Sequence, residues 1–119
     1  MIVESKQVRL YVTPDGRTPY VSWIRRLNER AKDRIDARVT RLALGHLGKN
    51  RSVGKGVVEL ILDFGPGYRV YIGQEGFRAV ILLCGGDKST QKADINNAQE
   101  YWQDYQERAK KARESEWEN

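Results

Sequence analysis

Three apolar runs separated by glycine turns dominate the middle of the chain. Val57 to Phe64, Tyr68 to Gly73 and Phe77 to Cys84 each read as a strand, broken by Gly65-Pro66-Gly67 and Gln74-Glu75-Gly76. Upstream, Lys6 to Thr13 alternates through Val8, Leu10 and Val12, which predicts a first strand. Pro14-Asp15-Gly16 ends it with turn chemistry. Thr18 followed by Pro19 reads as a helix cap with proline at the first helical position, and Tyr20, Trp23, Ile24 and Leu27 form that helix's apolar stripe. A second helix is expected from near Ala31, with Ile35, Val39 and Leu42 at helical spacing, ending around Gly45 to Gly48. Gly48 to Gly56 reads as a basic loop. From Ala93 onward, Ile95, Ala98, Trp102, Tyr105, Ala109 and Ala112 recur at steps of three and four, predicting a long amphipathic helix. Residues 113–119 are charged and read as a frayed tail.

The order of elements predicts an α+β fold: a single domain, residues 1–119, with an antiparallel β-sheet of about four strands, two N-terminal helices and a C-terminal helix. A two-residue turn at Glu75-Gly76 would set Tyr71 opposite Val80 and Arg69 opposite Leu82. The Gly-Pro-Gly turn would set Ile61 opposite Tyr71 and Asp63 opposite Arg69. One face then gathers Leu60, Leu62, Phe64, Tyr68, Val70, Ile72, Ala79, Ile81 and Leu83 and is expected under the helices. The other, carrying Glu59, Asp63, Arg69, Tyr71 and Arg78, is expected to be open.

Charge adds to this picture. The 119 residues carry a net +5, with 39% apolar and 31% charged residues. Residues 25–55 hold ten cations against Glu29, Asp33 and Asp36, a net +7. That excess points to a polyanionic or acidic partner, beside the plainer reading of a solvated helix face. No apolar run is long enough to cross a membrane. MIVESKQVRL lacks the pattern of a signal peptide, and the lone Cys84 in an apolar setting suits a buried thiol; both lead to an expected cytoplasmic location.

The chemistry on offer is narrow. His46 is the only histidine and falls at a helix end, no Cys/His spacing suggests zinc, and no acidic cluster resembles a magnesium site, so neither metal nor cofactor is expected. Arg, Lys and Tyr remain. Those groups suit RNA cleavage, in which the 2′-hydroxyl is the nucleophile and cations stabilise the phosphorane. Gly85-Gly86-Asp87-Lys88-Ser89-Thr90 ends a strand and opens a helix. It reads either as a plain turn capped by Ser89 or Thr90, or as a phosphate site at a helix N-terminus.

The segments Glu59-Leu60, Gly65-Pro66-Gly67-Tyr68-Arg69-Val70-Tyr71, Leu82-Leu83 and Gly85-Gly86-Asp87-Lys88-Ser89-Thr90-Gln91, with Asp94-Ile95 and Ala98, resemble the RelE/ParE superfamily of toxins, most closely its HigB-type addiction module killer branch. The resemblance extends over nearly the whole chain. It implies the RelE-like fold, a type II toxin–antitoxin pair, and a neutralising antitoxin, commonly a small helix-turn-helix DNA-binding protein. It implies metal-independent, ribosome-dependent cleavage of messenger RNA. By position, it implies catalytic roles for Arg69, Lys88 and Lys55, with Tyr71 as a substitute proton-transfer group, and RNA contacts from Arg78, Lys49, Arg51, Arg38 and Arg41. Two departures stand out. Many relatives carry a basic residue directly after Glu-Leu, where this chain has Ile61, and no Tyr or His lies near the start of the last helix.

Those departures keep two other readings open: a ParE-like, non-nucleolytic gyrase inhibitor, and a catalytically decayed module that only binds its antitoxin. An antitoxin segment is expected on the polar sheet face first, and beside the Trp102–Tyr105 helix second.

Overall fold

The computed structural model describes residues 5–118; part of the segment that bears on a signal peptide, and the final residue of the charged tail, lie outside it. The elements run β1 (Gln7–Leu10), α1 (Pro19–Ile24), α2 (Glu29–Ala43), β2 (Asn50–Ser52), β3 (Val57–Leu62), β4 (Tyr68–Glu75), β5 (Ala79–Asp87), a 3-10 turn (Lys88–Thr90) and α3 (Gln91–Glu118). The α+β class is as expected, but the sheet has five strands in the order β1-β5-β4-β3-β2, and β1 runs parallel to β5. The additional strand is β2, three exposed residues inside what reads as a loop. Helix α3 continues to Glu118 through the segment expected to fray.

Local chemistry accounts for the helix starts. Pro19 opens α1 at its first position. Asn28 caps α2, its side chain accepting from the Ala31 amide at 2.9 Å. At the entry to α3 the cap is Asp87, which accepts from the Ser89 amide at 2.8 Å, with Thr90 reaching back to the Asp87 amide.

Both hairpin registers differ from expectation. Ile61, not Asp63, lies opposite Arg69, and Glu59 lies opposite Tyr71. In the second hairpin Glu75 pairs with Ala79 across a three-residue loop, and a bulge at Tyr71/Ile72 sets Tyr71 opposite Cys84 and Arg69 opposite Gly86. One residue of slip exchanges the faces of a strand. Val80 and Leu82 therefore join Leu60, Leu62, Val70 and Ile72 beneath α1 and α2, packed on Trp23, Ile35 and Leu42. Ala79, Ile81, Leu83 and Cys84 face the other way and pack with Val57 and Tyr71 under Ala98 and Trp102 of α3.

The sheet is thus covered on both sides, and no open face exists over β4 and β5. Two-sided burial explains the unbroken apolar run from Ala79 to Cys84. It also explains two glycines. A Cβ on Gly85 would lie 2.2 Å from the Trp23 ring on one face, and a Cβ on Gly73 would lie 2.3 Å from the Trp102 ring on the other. Each indole lies flat against bare backbone. Gly86 is filled in the same way by Asp94.

Candidate functional site

Alternation along β3 aims Glu59, Ile61 and Asp63 to the α3 side, and β4 aims Arg69 and Tyr71 to the same side. Arg51 reaches in from β2 and Gln91 from the first turn of α3. Their common partner is Glu59, which is wholly buried. Its carboxylate accepts from Arg51 Nε at 2.8 Å, Tyr71 Oη at 3.0 Å and Gln91 Nε2 at 3.0 Å. Burial pushes this carboxyl up, but the bonds from Arg51, Gln91 and Tyr71 and the Arg51 charge outweigh it. Its pKa is held below the ordinary value, so the group stays ionised.

Arg69 lies at the edge of this network. It is 7% exposed, and its Nε stands 3.7 Å from Glu59 Oε1, an ion pair without a hydrogen bond. Nη1 donates to the Tyr68 carbonyl at 3.1 Å. Nε is buried and has no partner. A guanidinium has five N–H donors, so most of this one remains free for an anion. Lys88, exposed in the 3-10 turn, stands beside it: a Cβ on Gly67 would lie 3.5 Å from both Arg69 Nη1 and Lys88 Cβ. Lys49 closes the group by donating to Asp63 at 2.6 Å. That bond is the main reason the Asp63 carboxyl lies below its ordinary range; a smaller desolvation penalty opposes it, and the charges of Lys49, Arg69 and Lys88 add to it. Lys49, Arg51, Arg69 and Lys88 therefore converge on the strip of sheet between β2 and the start of α3.

The other sequence-nominated residues lie elsewhere or are already engaged. Lys55 occupies the β2–β3 turn, six positions along the chain from Ile61, on the order of 15–20 Å away at strand spacing. Arg78 is exposed in the β4–β5 loop, at the far end of β5 from Gly86 and Arg69. Tyr71 is fully buried, and burial, then the charge and hydrogen bond of Glu59, raise its phenol pKa far above the ordinary value. It holds Glu59 and is out of reach of a substrate. Arg38 is 8% exposed and gives its donors to backbone: Leu47 O at 3.2 and 2.9 Å, Lys49 O at 2.6 Å and Ile61 O at 3.0 Å. Arg41 and Arg51 are exposed, Arg51 within the Glu59 network and Arg41 on the α2 side.

The Gly85–Thr90 segment is not a phosphate cradle. Both glycines lie inside β5 with their side-chain space filled by Trp23 and Asp94, and the Asp87 carboxylate occupies the turn's amide. The residues that sequence reasoning missed are Gln91 and the anchoring role of Glu59. Gln91 closes the quoted GGDKSTQ segment, but nothing short of the fold brings it to β3. Ile61 is half-buried directly opposite Arg69, an apolar side chain amid the cations. Among the described residues, no three His, Cys, Asp or Glu side chains gather as a metal-binding set, and no helix is long and apolar enough to cross a membrane.

The chain is 53% identical over 78 residues to an uncharacterized protein of Haemophilus influenzae, a match covering 65% of this chain and 79% of that protein. The two belong to one family. No protein-family profile matches the chain, and no solved structure does.

Proposed function

We propose that this protein is the toxin of a type II toxin–antitoxin pair with a RelE-like fold, a metal-independent endoribonuclease that cuts messenger RNA on the ribosome in the cytoplasm. The observation that carries this reading is the Arg69 guanidinium, buried, held near Glu59 and left with most of its donors free beside Lys88.

In the reaction, the ribose 2′-hydroxyl gives up its proton to water and its oxygen attacks the adjacent phosphorus, the P–O5′ bond breaks, the departing 5′-oxygen takes a proton from water, and a 2′,3′-cyclic phosphate and a 5′-hydroxyl result. Negative charge accumulates on the non-bridging oxygens of the phosphorane. Arg69 meets that charge from a fixed position, because the strand pair and Glu59 hold it before substrate arrives, and such preorganised donors are worth roughly 10²–10³ in rate each. Lys88, on its exposed turn beside Arg69, adds a second charge for the same phosphate. Arg51 shares its charge with Glu59 and sets the local field.

The partner in this reading is an antitoxin, a small helix-turn-helix DNA-binding protein encoded beside the toxin. Because α3 covers the sheet, an antitoxin segment would lie over the cationic strip, or beside the Trp102–Tyr105 stretch of α3, rather than across an open face.

Expression of the wild-type chain, Arg69→Ala and Arg69→Lys in a bacterium, with mapping of new 5′ ends in messages, tests the proposal. Growth arrest with new 5′ ends in the wild type, abolished by Arg69→Ala and partly kept by Arg69→Lys, is the expected result. One observation favours a second reading, a ParE-like gyrase inhibitor: Ile61 stands opposite Arg69 where a cation would assist cleavage. DNA damage with intact messages would select it.

A further inference from the structure

A second cationic surface runs along α2, around the end of β3 from Arg69. Arg30, Arg34, Arg38 and Arg41 recur at steps of four, four and three, so they form one stripe about 16 Å long at 1.5 Å per residue. Three adjoining clefts follow that stripe. The first, of about 300 Å³, lies between Arg30, Arg34, Phe64 and Tyr68. The next lies between Arg34, Arg41 and Asp63, and the last between Arg41, His46 and Lys49. They share Arg34 or Arg41 as common walls and so form a continuous groove. Its far end is Lys49, whose bond to Asp63 joins the groove to the Arg69–Lys88 strip.

Within the groove, the cations are unequal. Arg38 has spent its donors on backbone carbonyls. Arg30, Arg34 and Arg41 have no carboxylate at ion-pair distance among the described residues, and the one acid lining the groove, Asp63, is held by Lys49. Arg34 is further distinguished because its guanidinium carbon lies 4.0 Å over the Phe64 ring. The pair presents a ring-backed cation at the mouth of the first cleft. A guanidinium of this kind accepts an unstacked nucleobase, and beyond it the unpaired Arg41 and the exposed Lys49, held only by its surface pair with Asp63, can meet successive backbone phosphates. An acidic peptide would use the charges but not the stacking, and a duplex keeps its bases stacked away from it.

We propose that this groove holds a single-stranded RNA segment, with one base stacked on the Arg34–Phe64 pair and backbone phosphates on Arg41 and Lys49, leading to the phosphate at Arg69. The inference rests on the reading of RNA as substrate, and it assigns a binding path outside the cleavage centre.

The test uses the full-length protein and a fluorescent ten-nucleotide 2′-O-methyl RNA of mixed sequence, which lacks the nucleophile and cannot be cut. Anisotropy titrations across a range of potassium chloride compare the wild type with Arg34→Ala, Arg41→Ala and, at the opposite end of the sheet, Arg78→Ala. Losing the stacking cation in Arg34→Ala is expected to weaken binding by about 5- to 150-fold. Losing one phosphate contact in Arg41→Ala is expected to lower the slope of log affinity on log salt by about 0.7. Arg78→Ala should bind as the wild type does. No binding by the wild type, unchanged binding by Arg34→Ala and Arg41→Ala, an equal loss in Arg78→Ala, or equally tight binding of duplex RNA would each overturn the groove. Because the probe cannot be cleaved, the two readings fail separately. Groove binding without Arg69-dependent cleavage in cells removes the nuclease alone, whereas Arg69-dependent cleavage with groove variants that bind normally removes the groove alone.

Discussion

Arg69 Nε faces Glu59 Oε1 at 3.7 Å, too far for a hydrogen bond, while the same carboxylate is filled by Arg51, Tyr71 and Gln91. Glu59 thus balances the Arg69 charge without consuming its donors. A neutral side chain at 59 leaves a buried guanidinium uncompensated, and losing one member of a buried pair costs about 3–5 kcal/mol.

Glu59→Gln is therefore expected to lose about 3 kcal/mol of stability at pH 7, and the loss is pH-dependent. The folded-state pKa of Glu59 lies below its ordinary value of 4.5. Its contribution is fully present above that value and disappears as pH falls through the lower, folded-state value. Urea unfolding of both proteins should show a wide gap at pH 7 that narrows in acid. A gap independent of pH would mean that the charge of Glu59 is not what holds the network.

Tyr71→Phe removes one of the three donors to Glu59 and nothing from the exposed strip. The expected cost is about 1–2 kcal/mol, seen as a melting temperature lower by several degrees. Growth arrest, under the proposed function, should persist. Loss of arrest with unchanged stability would return Tyr71 to the chemistry.

Gly73→Ala drives a methyl into Trp102, and Gly85→Ala drives one into Trp23. Neither glycine has a left-handed backbone, so the cost is collision alone, at least about 2 kcal/mol in a packed core. Pairing Gly73→Ala with Trp102→Leu should destabilise by less than the sum of the two, with a coupling of about 0.5–3 kcal/mol in a double-mutant cycle. Additive effects would show that the indole does not lie on the glycine.

Arg38→Lys keeps the charge but lacks a fork that spans the carbonyls of Leu47, Lys49 and Ile61. The expected loss is about 1–3 kcal/mol, equal at low and high salt because the group is buried. Lys49→Ala, which breaks an exposed pair, should change stability by less than about 1 kcal/mol, and only at low salt. A salt-dependent Arg38→Lys effect would contradict the structural role.

Much of this protein is written in local pattern. Turn residues and apolar periodicity place both N-terminal helices, the three central strands and α3, because capping and alternation act over a few residues. The convergence of Arg69 and Lys88 follows from their positions at the ends of neighbouring strands. What local pattern does not contain is register and layering. The three-residue loop after Glu75 turns Ala79–Leu83 over, and the bulge at Tyr71/Ile72 brings Cys84 back to the side of Tyr71, since strand side chains alternate with a period of two and one added residue exchanges the faces. The unbroken run Ala79–Cys84 already hinted at two covered faces, yet only the tertiary structure brings α3 across the second one, setting Trp102 on Gly73 and Gln91 on Glu59. Charge behaves in the same way: composition counts ten cations between residues 25 and 55, but whether Arg38 is spent on carbonyls while Arg34 lies stacked and open depends on which groups fold against each, and that is decided between elements distant in sequence.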